Sequence, residues 1–249
     1  MATLLKLTGI TKSFGAVRAL RGVDFELNEC EVVALVGDNG AGKSTLVKAI
    51  SGAQPGDEGA YWFDGTQRDV KTPEDALALG IETVYQDLAL FDNSDVALNI
   101  FAGRELLRRF LGIPFLRSKA MHDEARDLLA SLNIHIQSTR LPVKGMSGGQ
   151  RQSVAIARAV AFGRKVVILD EPTAALGVPE QAKVLALIME LKNRGFSVIL
   201  ISHNLHHVFE VSDRIHVLRQ GSTAGVRLTA ESTPDEIVRL ITGGDLVKH

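Results

Sequence analysis

The chain has 249 residues, 45% of them hydrophobic and 23% charged, and its 28 Lys and Arg nearly cancel its 29 Asp and Glu, leaving a formal net charge of -1. That length can bury a sizeable core in one large domain or two small ones, and the charge balance marks no nucleic-acid footprint or polybasic anchor, although a local patch can hide inside a neutral total. No apolar stretch approaches the roughly 18 residues of a membrane span, the first residues lack a signal-peptide pattern, and a lone cysteine excludes an intrachain disulfide, so a reducing, cytoplasmic setting is expected.

In chain order, Leu4 to Leu7, Val23 to Leu27 and Tyr61 to Phe63 read as short strands separated by Gly and Asp. They predict an antiparallel layer beside a main sheet. Cys30, just ahead of an apolar run, is expected to be a half-buried small side chain. The runs Val32 to Val36, Ile81 to Tyr85, Val166 to Leu169 and Val198 to Ile201 are continuous and apolar, as strands of a parallel sheet covered on both faces require. Residues from about 88 to 160 hold no convincing strand. Ser118 to Ser131 and Ser153 to Ala161 read as helices, so this stretch predicts a helical subdomain. Val178 to Arg194 has apolar residues at helical spacing with Gly195 as a stop signal. Ile215 to Leu218 and Gly225 to Leu228 flank Arg219-Gln220-Gly221 as a hairpin, and Pro234 to Ile241 reads as a closing helix.

Directly after the run Val32 to Val36 stands Gly37-Asp38-Asn39-Gly40-Ala41-Gly42-Lys43-Ser44, which matches G-x-x-x-x-G-K-S/T, and Thr45 to Ile50 follows with a helical pattern. Strand before and helix after is the context a P-loop needs. Its glycines let successive N–H groups turn toward phosphate oxygens, and the helix adds its positive end. Lys43 is expected to bridge the β- and γ-phosphates and the Ser44 hydroxyl to ligate Mg²⁺. The run Val166 to Leu169 ends in Asp170-Glu171, at the sheet edge where α/β proteins place ligands. Asp170 suits a water-mediated hold on Mg²⁺, and Glu171 suits polarising an attacking water.

Met146-Ser147-Gly148-Gly149-Gln150 lies between these elements. It resembles the L-S-G-G-Q signature of the ATP-binding cassette (ABC) family, with Met146 as a volume-conserving replacement for Leu. The likeness covers nearly the whole chain and implies one ABC cassette over residues 1–249: a P-loop NTPase core with a parallel sheet, an N-terminal antiparallel β layer and a helical signature subdomain at about 88–160. ATP and Mg²⁺ are its implied ligands. By resemblance Phe14 stacks on adenine, and Gly37, Asn39, Gly40, Ala41, Gly42, Lys43, Ser44 and Thr45 hold the phosphates. Gln86 reaches Mg²⁺ and senses a transmembrane partner, and His203 contacts the γ-phosphate and orients water. Catalysis thus falls to Glu171, His203 and Gln86, and metal binding to Ser44, Gln86 and Asp170.

In this family two cassettes pack head to tail, so Ser147, Gly149 and Gln150 are expected to close over ATP held by a second cassette, an identical chain. Where many members carry an Asp in the loop after the catalytic Glu, this chain has Gly177. Glu171-Pro172-Thr173-Ala174-Ala175-Leu176-Gly177-Val178 resembles the monosaccharide-importer branch (ribose, xylose, fructose and galactose type systems). The expected partners are permease subunits and, indirectly, a periplasmic sugar-binding protein, with the chain peripheral on the inner face of the inner membrane and no nucleic acid. Leu88, Leu90 and Phe91 read equally as a permease docking surface or as core. A soluble translation or DNA-repair ATPase, an importer for another small solute and a catalytically dead cassette are the competing readings.

Overall fold

The computed structural model describes residues 2–110, 113–163 and 165–244. The chain opens with two long strands, β1 (Thr3–Phe14) and β2 (Val17–Asn28), joined by a turn at Gly15-Ala16, and with β4 (Glu58–Phe63) and β5 (Thr66–Arg68) they form an antiparallel sheet of order β2-β1-β4-β5. The antiparallel layer is therefore present, but β1 and β2 run to 12 residues each, well beyond the apolar cores that announce them. Their outer ends, at Phe14 and Val17, are exposed, so the ladder between the strands, not burial, extends them.

The second sheet has six strands in the order β12-β11-β3-β10-β9-β6. Here β3 (Val32–Val36), β6 (Ile81–Val84), β9 (Val166–Asp170), β10 (Ser197–Ile201) and β11 (Arg214–Arg219) are parallel, and β12 (Ser222–Leu228) closes one edge antiparallel to β11. Both faces are covered, and the pleat decides where each side chain goes. Val166, Ile168, Ile199 and Ile201 enter the core shared with the antiparallel layer and helix α1 (Lys43–Ile50). The alternate residues Val167, Leu169, Val198 and Leu200 enter the core on the other face, shared with α5 (Gly148–Val160) and α6 (Val178–Asn193). A third cluster packs Ile215 and Val217 against α7 (Leu205–Val211) and α8 (Pro234–Thr242).

Helix α8 shows how the local code works. Thr233 caps it by accepting from the Glu236 N–H, Pro234 opens it, Asp235 and Glu236 lie in the first turn, and Gly243 ends it in the left-handed conformation. The short helix α2 (Pro73–Ala78) starts the same way, with Thr72 and Asp75 forming a reciprocal capping box.

Between α3 (Val96–Ile100) and α4 (Ser118–Ser131) the structure corrects the expectation of an all-helical stretch. Strands β7 (Leu107–Phe110) and β8 (Ile113–Leu116) pair as an antiparallel hairpin. Each is four residues long and exposed throughout, so neither carries the buried alternation that marks a strand in sequence. Cys30 is also exposed, contrary to expectation: it sits at φ 55° in the turn after β2, and its N–H donates to Ser197 Oγ at 3.0 Å.

Two buried polar groups tie the layers together. Glu31, 5% exposed, receives the Arg214 guanidinium through Nε at 2.8 Å and Nη2 at 2.7 Å. His216, 3% exposed, packs its ring tilted against Phe25 with centres 5.2 Å apart and meets Thr223 Oγ1 at 3.2 Å. Burial and then the Arg214 charge push its pKa from 6.5 down to about 4, against a weaker pull from Asp24. Because the unfolded chain binds this proton more readily, the stability due to neutral His216 is full above pH 6.5 and is lost as pH falls toward about 4. The loss amounts to about 3 kcal/mol. Melting temperature against pH should fall through that window, and His216→Gln should flatten the fall.

Candidate functional site

β3 is buried along its whole length and runs out at Gly37, where the chain turns back on itself before entering α1. Gly42 occupies the N-cap position at φ 105°, and no side chain caps the helix, so the first-turn N–H groups remain donors facing the loop. A Cβ on Gly42 would lie 2.8 Å from the Ala19 carbonyl oxygen. Only glycine lets β2 approach that closely. Lys43 curls over the loop, its Nζ donating to the carbonyls of Gly37 at 2.6 Å and Asp38 at 3.0 Å. Burial holds the Lys43 pKa below its usual value, opposed by Glu171, Asp38 and Asp170.

The other wall is built from the carboxyl ends of neighbouring parallel strands. β9 delivers Asp170 and Glu171, β6 leads to Gln86, and β10 leads to His203. Burial, followed by the Glu171 charge, raises the Asp170 pKa, while Lys43 lowers it. Glu171 is held at φ 49° with its N–H donating to the Ile201 carbonyl at 3.0 Å. Its Oε1 lies 2.8 Å from His203 Nδ1, and the pair differs sharply in setting: the Glu171 side chain is 16% exposed and His203 75%. A non-glycine residue in the left-handed region is costly, by about 1–3 kcal/mol, and such positions cluster at functional sites.

These residues line one open cleft of about 980 Å³: Gly37, Asn39, Gly40, Gly42, Lys43, Ser44 and Thr45 on one side, with Gln86, Asp170, Glu171 and His203 opposite and Phe14 at the margin. Phe14 is 45% exposed rather than core, with Lys12 Nζ 5.9 Å from its ring centre. Ala41 differs from its neighbours. Its side chain is buried in the core and its N–H already donates to Asp38 at 3.1 Å, so it does not face the cleft.

Sequence reasoning missed Arg18, Arg21 and Gln220, which also line the cleft. The β11–β12 turn arrives because Gly221 accepts from the Arg21 N–H at 2.8 Å and donates to Ala41 at 3.0 Å. Gln220-Gly221 is legible as a two-residue hairpin turn, but nothing local says what it touches. A second missed feature is His207, buried behind His203. It meets Thr173 Oγ1 at 3.1 Å through Nδ1 and Asn204 Nδ2 at 3.2 Å through Nε2, linking the segment after Glu171 to the segment after His203. Accepting from Asn204 requires an unprotonated Nε2, and burial holds the His207 pKa below its usual value.

Ser147, Gly149 and Gln150 lie elsewhere. Ser147 caps α5, accepting from the Gln150 N–H at 3.3 Å while the Gln150 side chain accepts from the Ser147 N–H at 3.1 Å, so the helix starts at Gly148 rather than Ser153. The three residues line a separate pocket with His135 and Glu180, and that pocket shares no residue with the cleft. Glu180 fills the space beside two glycines: a Cβ on Gly149 would lie 2.7 Å from its Cγ, and one on Gly177 2.7 Å from its Oε2.

A parallel sheet that feeds a glycine loop into a helix, with two carboxylates at the end of the next strand but one, defines a P-loop α/β protein. Residues 20–174 match the ABC transporter family. The chain is 47% identical over 248 residues to the xylose/arabinose import ATP-binding protein of Sulfolobus acidocaldarius, covering 100% of this chain and 97% of that one. It is 47% identical over 244 residues to the fructose import ATP-binding protein of Rhizobium meliloti, covering 96% and 94%. In fold it resembles the crystal structure of an ATP-binding cassette of an ABC transporter, with TM-score 0.84, 25% identity and coverage of 96% and 99%. The chain belongs to the ABC transporter family.

Proposed function

We propose that the chain is the ATP-binding and ATP-hydrolysing subunit of an importer for a monosaccharide, with residues 1–249 working as one cassette. The observation that carries hydrolysis is the single cleft in which Lys43 and the open first turn of α1 face the Asp170, Glu171 and His203 side chains. Phosphates in the loop would meet backbone N–H donors and draw Lys43 off its two carbonyls, and their charge would offset the desolvation that now weakens its protonated form. Phe14 offers an exposed ring for the adenine.

The oxygen donors Ser44, Gln86 and Asp170 line the same cleft. A hydroxyl, an amide and a carboxylate completed by water fit Mg²⁺ rather than a softer ion, and burial followed by the Glu171 charge raises the Asp170 pKa, a penalty that a bound cation would offset. Mg²⁺ bound there would neutralise charge on the β- and γ-phosphates. Glu171 accepts a hydrogen bond from the attacking water and fixes its line of approach, and His203, held by Glu171, reaches the γ-phosphate.

The Ser147 pocket stands apart from the cleft of its own chain, which favours closure over the nucleotide of a second copy. Gln86 and residues 87–101 form the side offered to the permease. Of the apolar residues there, Leu88 and Leu90 pack against the core, while Phe91 is 61% exposed and remains the docking candidate. The sugar reading rests on the two relatives named for import of xylose or arabinose and of fructose. Among the described residues no helix is long and apolar enough to cross a membrane, so membrane-spanning partners would hold this subunit on the inner face. Affinity purification from native membranes should recover a multi-spanning permease and stimulate ATP turnover with a pentose- or hexose-loaded binding protein. Recovery of ribosomes or DNA instead overturns the importer reading.

The His207 bridge gives a second test. His207→Leu keeps the bulk but frees Asn204 and Thr173, so turnover should fall about ten- to a hundredfold through loosened His203 and Glu171, with nucleotide affinity nearly unchanged. Equal losses in both would assign His207 a merely structural role.

A further inference from the structure

The β7–β8 hairpin is unlike any other element of the fold. All eight of its described residues are exposed, and five are large and apolar: Leu107 56%, Phe110 64%, Ile113 58%, Phe115 45% and Leu116 50%. The register places Leu107, Leu116, Arg109 and Pro114 on one face and Arg108, Phe115, Phe110 and Ile113 on the other. Each face thus carries three apolar residues and one arginine. Among the described residues the hairpin is anchored at its base, where the Arg117 N–H donates to the Leu106 carbonyl at 2.7 Å and Leu106 packs against the core.

Charge is as lopsided as hydropathy. The stretch 104–119 holds Arg104, Arg108, Arg109, Arg117 and Lys119 against one acid, Glu105, in a chain whose total is -1. Arg104 is engaged, lying 4.8 Å over the Phe162 ring, but among the described residues Arg108 and Arg109 take no carboxylate partner. Apolar residues on both faces suit a medium that surrounds the element, whereas a folded partner covers one face. A second copy laid face to face would set arginine near arginine. Strand addition is hindered along β8 because Pro114 has no N–H to donate.

We propose that this hairpin seats the subunit on an anionic lipid surface, Arg108 and Arg109 meeting lipid phosphates while Phe110, Ile113 and Phe115 enter the boundary between headgroups and acyl chains. Aromatic and aliphatic side chains flanked by arginine are the composition that binds at such an interface. The inference is independent of the nucleotide site and of which sugar is carried.

The test is sedimentation of the full chain with two kinds of vesicle, pure phosphatidylcholine and a mixture of phosphatidylcholine with phosphatidylglycerol. The chain should sediment with the mixed vesicles, far less with the neutral ones, and raised salt should release it. Each cation at an anionic surface contributes about fivefold to partition, so Arg108→Ala with Arg109→Ala should lower binding about twenty-fivefold. Phe110→Ser with Phe115→Ser should lower it as well, with melting temperature and ATP turnover in solution nearly unchanged because neither side chain belongs to a hydrophobic core cluster. Three results overturn the proposal: equal binding to both vesicles, variants that bind like the parent, or variants that lose permease in detergent while keeping the lipid.

Discussion

Glu171→Gln is expected to leave ATP bound and nearly unhydrolysed. The substitution keeps the volume of a side chain that is only 16% exposed, and an amide can still pair with His203, so the cleft should hold its shape. What disappears is the carboxylate that, on the proposed reading, accepts from the attacking water. A placed general base contributes about 10²–10⁴-fold, so turnover should drop by about three orders of magnitude with nucleotide affinity almost intact. ATP would then persist between the P-loop of one chain and Ser147 and Gly149 of another. Size-exclusion chromatography at saturating Mg-ATP should show a dimer for the variant and mainly monomer for the parent after turnover. A variant that remains monomeric while binding ATP would sink the two-chain mechanism, and one that hydrolyses at the parental rate would remove Glu171 from the chemistry.

Lys43→Ala should act earlier, at binding. Lys43 Nζ is desolvated and held by two carbonyls of its own loop, which positions a cation where phosphates would sit. A hydrogen bond to a charged partner is worth about 1.5–3 kcal/mol, so affinity for ATP should weaken about ten- to a hundredfold. Because charge also develops on the transferring phosphoryl group, turnover should fall by a further factor of about 10² or more. Titration calorimetry with ATP separates the two effects. Lys43→Arg is not a safe control, since a planar guanidinium does not replace a compact ammonium between two carbonyls.

The position of the two carboxylates and of the loop facing them was legible because each rests on a local pattern. Asp170-Glu171 ends a run that only a doubly covered strand explains, and Gly37 to Ser44 carries its geometry in its own glycines. His203 and Gln86 were legible only by resemblance, as no property of the residues themselves sets them beside Glu171. The sheet order does that, by bringing β6 and β10 to either side of β9. Arg18, Arg21 and His207 were missed, and Gln220 was read only as part of a turn, because distant partners such as Gly221 for Arg21 and Thr173 for His207 are brought close by the packing of whole layers and not by a nearby pattern. The β7–β8 hairpin escaped for the opposite reason. It buries nothing, so the alternation that discloses other strands was never written into it.

The cleft and the Ser147 pocket share no lining residue on one molecule, so on the proposed two-chain reading each chain carries two half-sites that serve only a partner's. If two chains must meet, the rate of hydrolysis in dilute solution rises with the square of the protein concentration. Surplus subunits that find no transporter would then idle, consuming little ATP. A permease that holds two copies side by side replaces that chance encounter with a fixed, high effective concentration. Fuel is then spent mainly where a pore exists to use it.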